Sequence, residues 1–188
     1  MKKKIFAMAL IVMCLSVVAY GTLAYFSYED TATNVIVAGN VKIALHEWQK
    51  TASGALVPFE SPIDVLPGIV VSKIVEVENT GKGAAWIRIS VLKAIELAAG
   101  KEGQVDTDLV GLKLNNEYWT ERDGYYYYNE ALQPGQTTQP LFTEVEFSAL
   151  MSNLYQQSKA ILTIQAQGVQ VANNGETVLE AAGWPDAE

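Results

Sequence analysis

Four runs of this chain alternate apolar and polar residues with a period of two. Val41, Ile43 and Leu45 alternate with Lys42, Ala44 and His46, and Val75 and Val77 with Glu76 and Glu78. Ile87, Ile89 and Val91 alternate with Arg88 and Ser90. Ala160, Leu162, Ile164 and Ala166 alternate with Thr163 and Gln165. Successive side chains of a strand point to opposite faces, so each run reads as a strand with one buried face. Half-buried strands must stack those faces against one another, which makes the chain all-β. Trp86 and Ile161 fall on the second faces, where loops would have to cover them.

Turn chemistry separates the runs. Arg122-Asp123-Gly124-Tyr125 places Asp-Gly where a two-residue hairpin turn wants positive φ, between Tyr118-Trp119-Thr120 and Tyr125 to Tyr128. Pro67-Gly68 and Pro134-Gly135 each suit the centre of a type II turn and precede strand-like runs, Val70 to Glu78 and Phe142 to Phe147. Asn79-Thr80-Gly81 separates two strong strands, which predicts that they pair as a hairpin. Helix is scarce: a turn or two is expected at Ala94 to Gly100, a short helix at Ser148 to Gln157 with Leu150 and Leu154 on one face, and a terminal turn at Thr177 to Ala182. The expected fold is a jelly-roll-like antiparallel β-sandwich with a few short helices, preceded by a signal-peptide helix.

The N-terminus has the layout of a secretory signal. Lys2-Lys3-Lys4 is basic, Ile5 to Tyr20 is apolar apart from Ser16, and Thr22-Leu23-Ala24 puts small residues at −3 and −1. Cleavage after Ala24 would make Tyr25 the first mature residue. The competing reading is an uncleaved anchor, because Ile5 to Phe26 is about long enough to cross a bilayer. Met13 is bulky and argues against lipid attachment at Cys14. The expected organisation is residues 1–24 as signal peptide, 25–40 as a leading strand and hinge, 41–175 as the sandwich and 176–188 as a tail.

Removing residues 1–24 removes three Lys and no acid, leaving 13 − 3 = 10 basic against 21 acidic side chains, a formal charge of −11. Such an acidic chain does not attract nucleic acid by charge. Residues 25–188 contain no Cys, so packing alone must hold the domain.

Catalytic chemistry finds little purchase. The one His, His46, is not part of His-Glu-x-x-His, and a catalytic zinc needs three protein ligands. There is no Gly-x-Ser-x-Gly elbow. Asp106-Thr107-Asp108 and Glu144-x-Glu146 lack the spacing of a calcium loop and read as solvated faces. The expectation is no enzyme, no metal and no cofactor. Tyr118, Trp119, Tyr125, Tyr126, Tyr127 and Tyr128 are candidate surface contacts; packing of this hairpin into the core or a subunit contact is the alternative to a glycan platform.

Several motifs taken in order resemble one family. Tyr20-Gly21-Thr22-Leu23-Ala24-Tyr25-Phe26, then Thr31-Ala32-Thr33-Asn34 and Ala38-Gly39-Asn40-Val41-Lys42-Ile43, are similar to the start of the TasA/camelysin family, exported bacterial proteins processed by a dedicated type I signal peptidase. Leu66-Pro67-Gly68 followed by Val75-Glu76-Val77-Glu78-Asn79-Thr80-Gly81 resembles that family's Pro-Gly, strand, Asn-x-Gly unit. Tyr155-Gln156-Gln157 leading into Ala160 to Val171 resembles its last long strand, and Asp123 to Tyr128 with Leu132-Gln133-Pro134-Gly135 its Tyr-rich hairpin. The stretch 93–117 matches least.

The resemblance implies export and assembly into extracellular or biofilm-matrix fibres, with this chain or related matrix subunits as partners. The segment freed by cleavage would add as a strand to the next subunit. Here that donor is Tyr25 to about Ala38, with Tyr25, Phe26, Val35, Ile36 and Val37 as its contact residues and Gly39-Asn40 as hinge. The other readings are an ordinary first strand paired within its own subunit, a monomeric cell-surface adhesin or binding module, and a camelysin-like metallopeptidase. The membrane enters only through an uncleaved signal peptide.

Overall fold

The computed structural model describes residues 34–38 and 41–185. Among the described residues eleven strands follow one another: β1 (Val35–Val37), β2 (Ile43–Lys50), β3 (Leu56–Pro58), β4 (Ile63–Asp64), β5 (Val70–Asn79), β6 (Ala85–Glu96), β7 (Val110–Leu114), β8 (Trp119–Arg122), β9 (Tyr125–Tyr128), β10 (Phe142–Phe147) and β11 (Lys159–Gln170). One sheet has the order β1-β11-β6-β9-β8, with β4 also paired to β11; the other has the order β3-β2-β5-β10-β7. Every pairing is antiparallel except β1 on β11, which is parallel. The all-β sandwich expected from period-two alternation is what forms.

The alternation sets the core. Val75, Val77, Ile87, Ile89, Phe142, Val145, Ile164 and Ala166 are fully buried between the sheets. Each large side chain among them contributes about 1.5–3 kcal/mol by leaving water. Trp86, on the second face of β6, is covered as expected, but by the C-terminal segment. Val169, Tyr127 and Val178 join it in a smaller cluster, and its indole donates to the Asn174 carbonyl at 3.1 Å. Residues 176–185 therefore lie against the sheet as a strap.

The Asp-Gly hairpin forms as read. Arg122 pairs with Tyr125 and Trp119 with Tyr128, with Asp123 at φ 53 and Gly124 at φ 78. Both Pro-Gly turns also form, closed by Ile69 N–H to Leu66 C=O at 3.1 Å and Gln136 N–H to Gln133 C=O at 3.0 Å, with φ 75 at Gly68 and φ 76 at Gly135. A Cβ at Gly124 would meet no atom within 4 Å. Gly124→Ala is therefore expected to cost only the left-handed backbone penalty, about 1–2 kcal/mol, read as a lower urea midpoint at unchanged m-value.

Asn79-Thr80-Gly81 does not make a hairpin. β5 pairs with β2 and β10, whereas β6 pairs with β11 and β9 in the other sheet. The turn carries the chain across the sandwich. The Asn79 side chain accepts from Gly81 N–H at 2.9 Å and donates to the carbonyls of Gly83 (2.9 Å) and Leu132 (2.8 Å). That third bond reaches a distant loop and fixes an arch, not a tight return.

The expected helices are also corrected. Ala94 to Glu96 continues β6, with Ala94 opposite Ile161. Within Ser148 to Gln157 only Asn153–Tyr155 forms one 3-10 turn. Ser148 Oγ accepts from Leu150 N–H at 3.1 Å and Ser152 Oγ from Leu154 N–H at 3.3 Å, local bonds that compete with a continuous helix. The turn expected at Thr177 to Ala182 does form, with Glu180 N–H donating to Thr177 C=O at 3.1 Å.

Candidate functional site

The leading strand is held by little. Thr22, Leu23, Ala24, Tyr25 and Phe26 lie outside the described residues. Val35, Ile36 and Val37 form β1, in parallel register with Ala166, Gln167 and Gly168 of β11. Bonds from Ala166 N–H to Asn34 C=O (2.8 Å) and from Ala38 N–H to Gly168 C=O (3.1 Å) bracket it. Val35 packs on the main core, but Val37 is 40% exposed. Thus Val35 to Val37 sit in their own sheet as a three-residue edge strand.

β11 is the longest-paired strand of that sheet on one side only. β6 pairs with it from Lys159 to Gln170. The opposite edge carries β4 at Lys159 and Ala160 and β1 at Ala166 to Gly168. Among the described residues no strand pairs with that edge between Ile161 and Gln165. Gly168 lets the start of β2 come close at the β1 end, since a Cβ there would lie 3.3 Å from Ile43 Cδ1 and 3.1 Å from Val41 Cγ1 just before the strand.

The Tyr-rich hairpin is mostly spent on packing. Trp119 and Tyr128 are buried in the main core, their rings 5.1 Å apart, with the Trp119 indole donating to Gln139 C=O at 2.9 Å. They are therefore not available as surface contacts, and neither is buried Tyr127. Tyr118 and Tyr126 pack against the same core, and burial pushes the Tyr126 and Tyr128 hydroxyls above the ordinary phenol range. On the outer face Arg88 covers the Tyr125 ring at 3.8 Å and the Trp184 ring at 4.7 Å. Its guanidinium donates to Gln167 Oε1 (2.6 Å), Tyr127 Oη (3.3 Å) and Pro185 C=O (3.1 Å). The aromatic faces a sugar would need are occupied by this chain's own Arg88 and Trp184.

The acid and histidine candidates are dispersed. His46 Nε2 lies 2.9 Å from Glu78 Oε2, and its ring stacks on Trp48 with centroids 5.5 Å apart. Asp106 accepts from Asp108 N–H at 2.9 Å and so caps a 3-10 turn. Glu144 pairs with Lys113 at 3.0 Å. Among the described residues no three His, Cys, Asp or Glu side chains come together as metal ligands do.

Two features escaped the sequence reading. Lys73 is 1% exposed, ion-paired with Glu47, its ammonium 3.7 Å from the Phe59 ring centroid. Parity signalled it, because Lys73 shares the inward face of Val75 and Val77. The other is Arg88, whose alternation marked it as outward without showing that the C-terminal strap would enclose it.

No family model, curated protein or solved structure matches this chain.

Proposed function

We propose that this chain is an exported structural protein of the TasA/camelysin kind, which polymerises into extracellular or matrix fibres by strand exchange after signal cleavage. The observation that carries the reading is β1: three residues, parallel, on the edge of β11, with Val37 exposed. A short edge strand gives up few bonds on leaving. An identical strand from a neighbour regains them in the same register, so exchange is near-neutral within a site and driven by whatever further contacts the neighbour makes. Cleavage after Ala24 would release the strand from the membrane, which restricts assembly to the cell exterior.

Electron microscopy of chain beginning at Tyr25 tests this. Fibres are expected, and they should vanish when residues 25–38 are deleted. Ile36→Pro should act like the deletion, because proline cannot donate to the ladder and disturbs Val35. A processed chain that stays monomeric at every salt concentration and pH, or a deleted chain that still forms fibres, overturns the proposal.

A further inference from the structure

β11 ends at Gln170, and the chain turns back at once. Asn173 at φ 56 and Gly175 at φ 77 take the left-handed backbone that Asn and Gly adopt most readily, and Asn174 N–H donates to Val171 C=O at 3.0 Å. The Asn174 side chain then reaches to the far end of the turn. Its Oδ1 accepts from Ala182 N–H at 2.8 Å, and its Nδ2 donates to Ala182 C=O at 3.0 Å. Glu180 folds back on the strap's start, its carboxylate accepting from Glu176 N–H (3.1 Å) and Thr177 N–H (3.3 Å). The strap is braced by its own bonds, so it seats or lifts as one piece.

Its hold on the sheet is mainly apolar. Val178, 2% exposed, joins the cluster of Trp86, Tyr127 and Val169, and Trp184 packs against that cluster, edge-on to Tyr127 with ring centroids 5.7 Å apart. Ala38, the residue after β1, packs against the same cluster. Its N–H also makes the bond to Gly168 C=O that ends the β1 ladder. The strand is therefore held at this end twice, by β11 through the backbone and by the strap's cluster through the Ala38 side chain. Beside it Gln167, opposite Ile36, is fully buried. Its Oε1 accepts from Arg88, but its Nε2 has no hydrogen-bond partner among the described residues. A buried donor without a partner disfavours the closed arrangement, and water can satisfy it once strap and strand lift. The apolar anchors hold the assembly shut against that cost.

We infer that the C-terminal strap is a latch on β1: seated, it keeps the strand in its own sheet, and lifted, it lets the strand go. As a control on assembly the latch rests on the strand-exchange reading, since only there does release of β1 have a use. A three-residue ladder alone opens readily, because local opening costs little where few contacts are lost. The strap adds the apolar contact that the ladder lacks, at the opposite end of the chain from the strand it retains.

Hydrogen exchange read by mass spectrometry on chain beginning at Tyr25, before any assembly, tests this. Two variants loosen the strap separately: Trp184→Ala removes the ring on Tyr127 and Arg88, and Val178→Ala trims the buried anchor. In each, segment 34–38 should exchange about tenfold faster, one factor of ten in its opening equilibrium. Segment 74–79, on the central strand of the other sheet, should keep its wild-type rate. Fibre growth should quicken in the same variants. Leu179→Ser, at an exposed strap position, should change neither rate. An unchanged rate at 34–38 in both variants overturns the latch. So does an equal acceleration at 74–79, which would make the strap an ordinary part of global stability. Fibre growth at the wild-type rate despite faster opening of 34–38 overturns its control of assembly. The two readings fail separately. Fibres that require residues 25–38 but ignore the strap leave strand exchange standing without the latch. A faster 34–38 with no fibres from any chain leaves the latch standing without strand exchange.

Discussion

Asn79→Leu is expected to destabilise the domain by about 3–5 kcal/mol, the cost of leaving several buried polar partners unpaired at about 1–3 kcal/mol each. Asn79 is fully buried and satisfies one N–H and two carbonyls, at Gly81, Gly83 and Leu132. Leucine has similar bulk and none of that capacity. Asn79→Asp separates shape from hydrogen bonding. The new carboxylate still accepts from Gly81 but faces two carbonyl oxygens where the amide donated. The folded state then favours the protonated acid, which can donate to one of them. A group whose folded pKa is raised binds protons more readily folded than unfolded, so stability rises as pH falls through the folded pKa. Urea unfolding should show Asn79→Asp weak at neutral pH and recovering on acidification, with Asn79→Leu weak at both. Equal pH profiles for the two would show that the arch does not depend on these bonds.

That arch also marks where the sequence stops being legible. Turn chemistry is local: Asp123-Gly124 and the two Pro-Gly pairs dictate φ within four residues, and each forms as read. Asn79-Thr80-Gly81 carries an equally good turn signal, but which strands flank a turn does not say which sheet each joins. The decision comes from Leu132, 53 positions away. The same divide separates the faces of the Tyr-rich hairpin. Alternation assigns Tyr126 and Tyr128 to one side and Tyr125 and Tyr127 to the other. Only the folded C-terminus shows that the outer pair is covered by Trp184 and Arg88. For the leading strand, β-propensity marked Val35 to Val37, whereas its parallel register on β11 depends on a segment about 130 residues further along the chain.

These points bear on exchange. The fully buried core is built mainly by β5, β6, β10 and β11, so β1 can depart without opening its centre. The arch at Asn79 and the C-terminal strap over Trp86 hold both sheets without it. A domain that donates its first strand needs this division between a self-sufficient body and an edge element of small local stability.

The buried ion pair tests how self-sufficient that body is. Lys73 sits inward on β5, with Glu47 of β2 as its counter-charge and the Phe59 ring over its ammonium. Burial holds the Lys73 pKa below the ordinary lysine value, and the Glu47 charge and hydrogen bond pull it partly back. Removing Glu47 alone, as Glu47→Gln, leaves a buried cation without its partner and should cost about 3–5 kcal/mol. Lys73→Met removes the buried charge and keeps its bulk. Glu47, 24% exposed, then turns to water, so the cost should be small and far below that of Glu47→Gln. The pH dependence follows from the sign of the shift. With the folded pKa of Lys73 depressed, the unfolded chain binds more protons between the folded value and the unfolded one, and stability from this group rises with pH across that window. Below the window the full desolvation penalty applies. Glu47→Gln deletes both effects that raise the folded pKa, so the window should widen downward and the variant should regain stability on moving from neutral to alkaline pH. Urea unfolding of wild type, Glu47→Gln and Lys73→Met across that range measures all three. Loss of the alkaline rise in Lys73→Met assigns it to this lysine; persistence of the rise there would place its origin elsewhere in the chain.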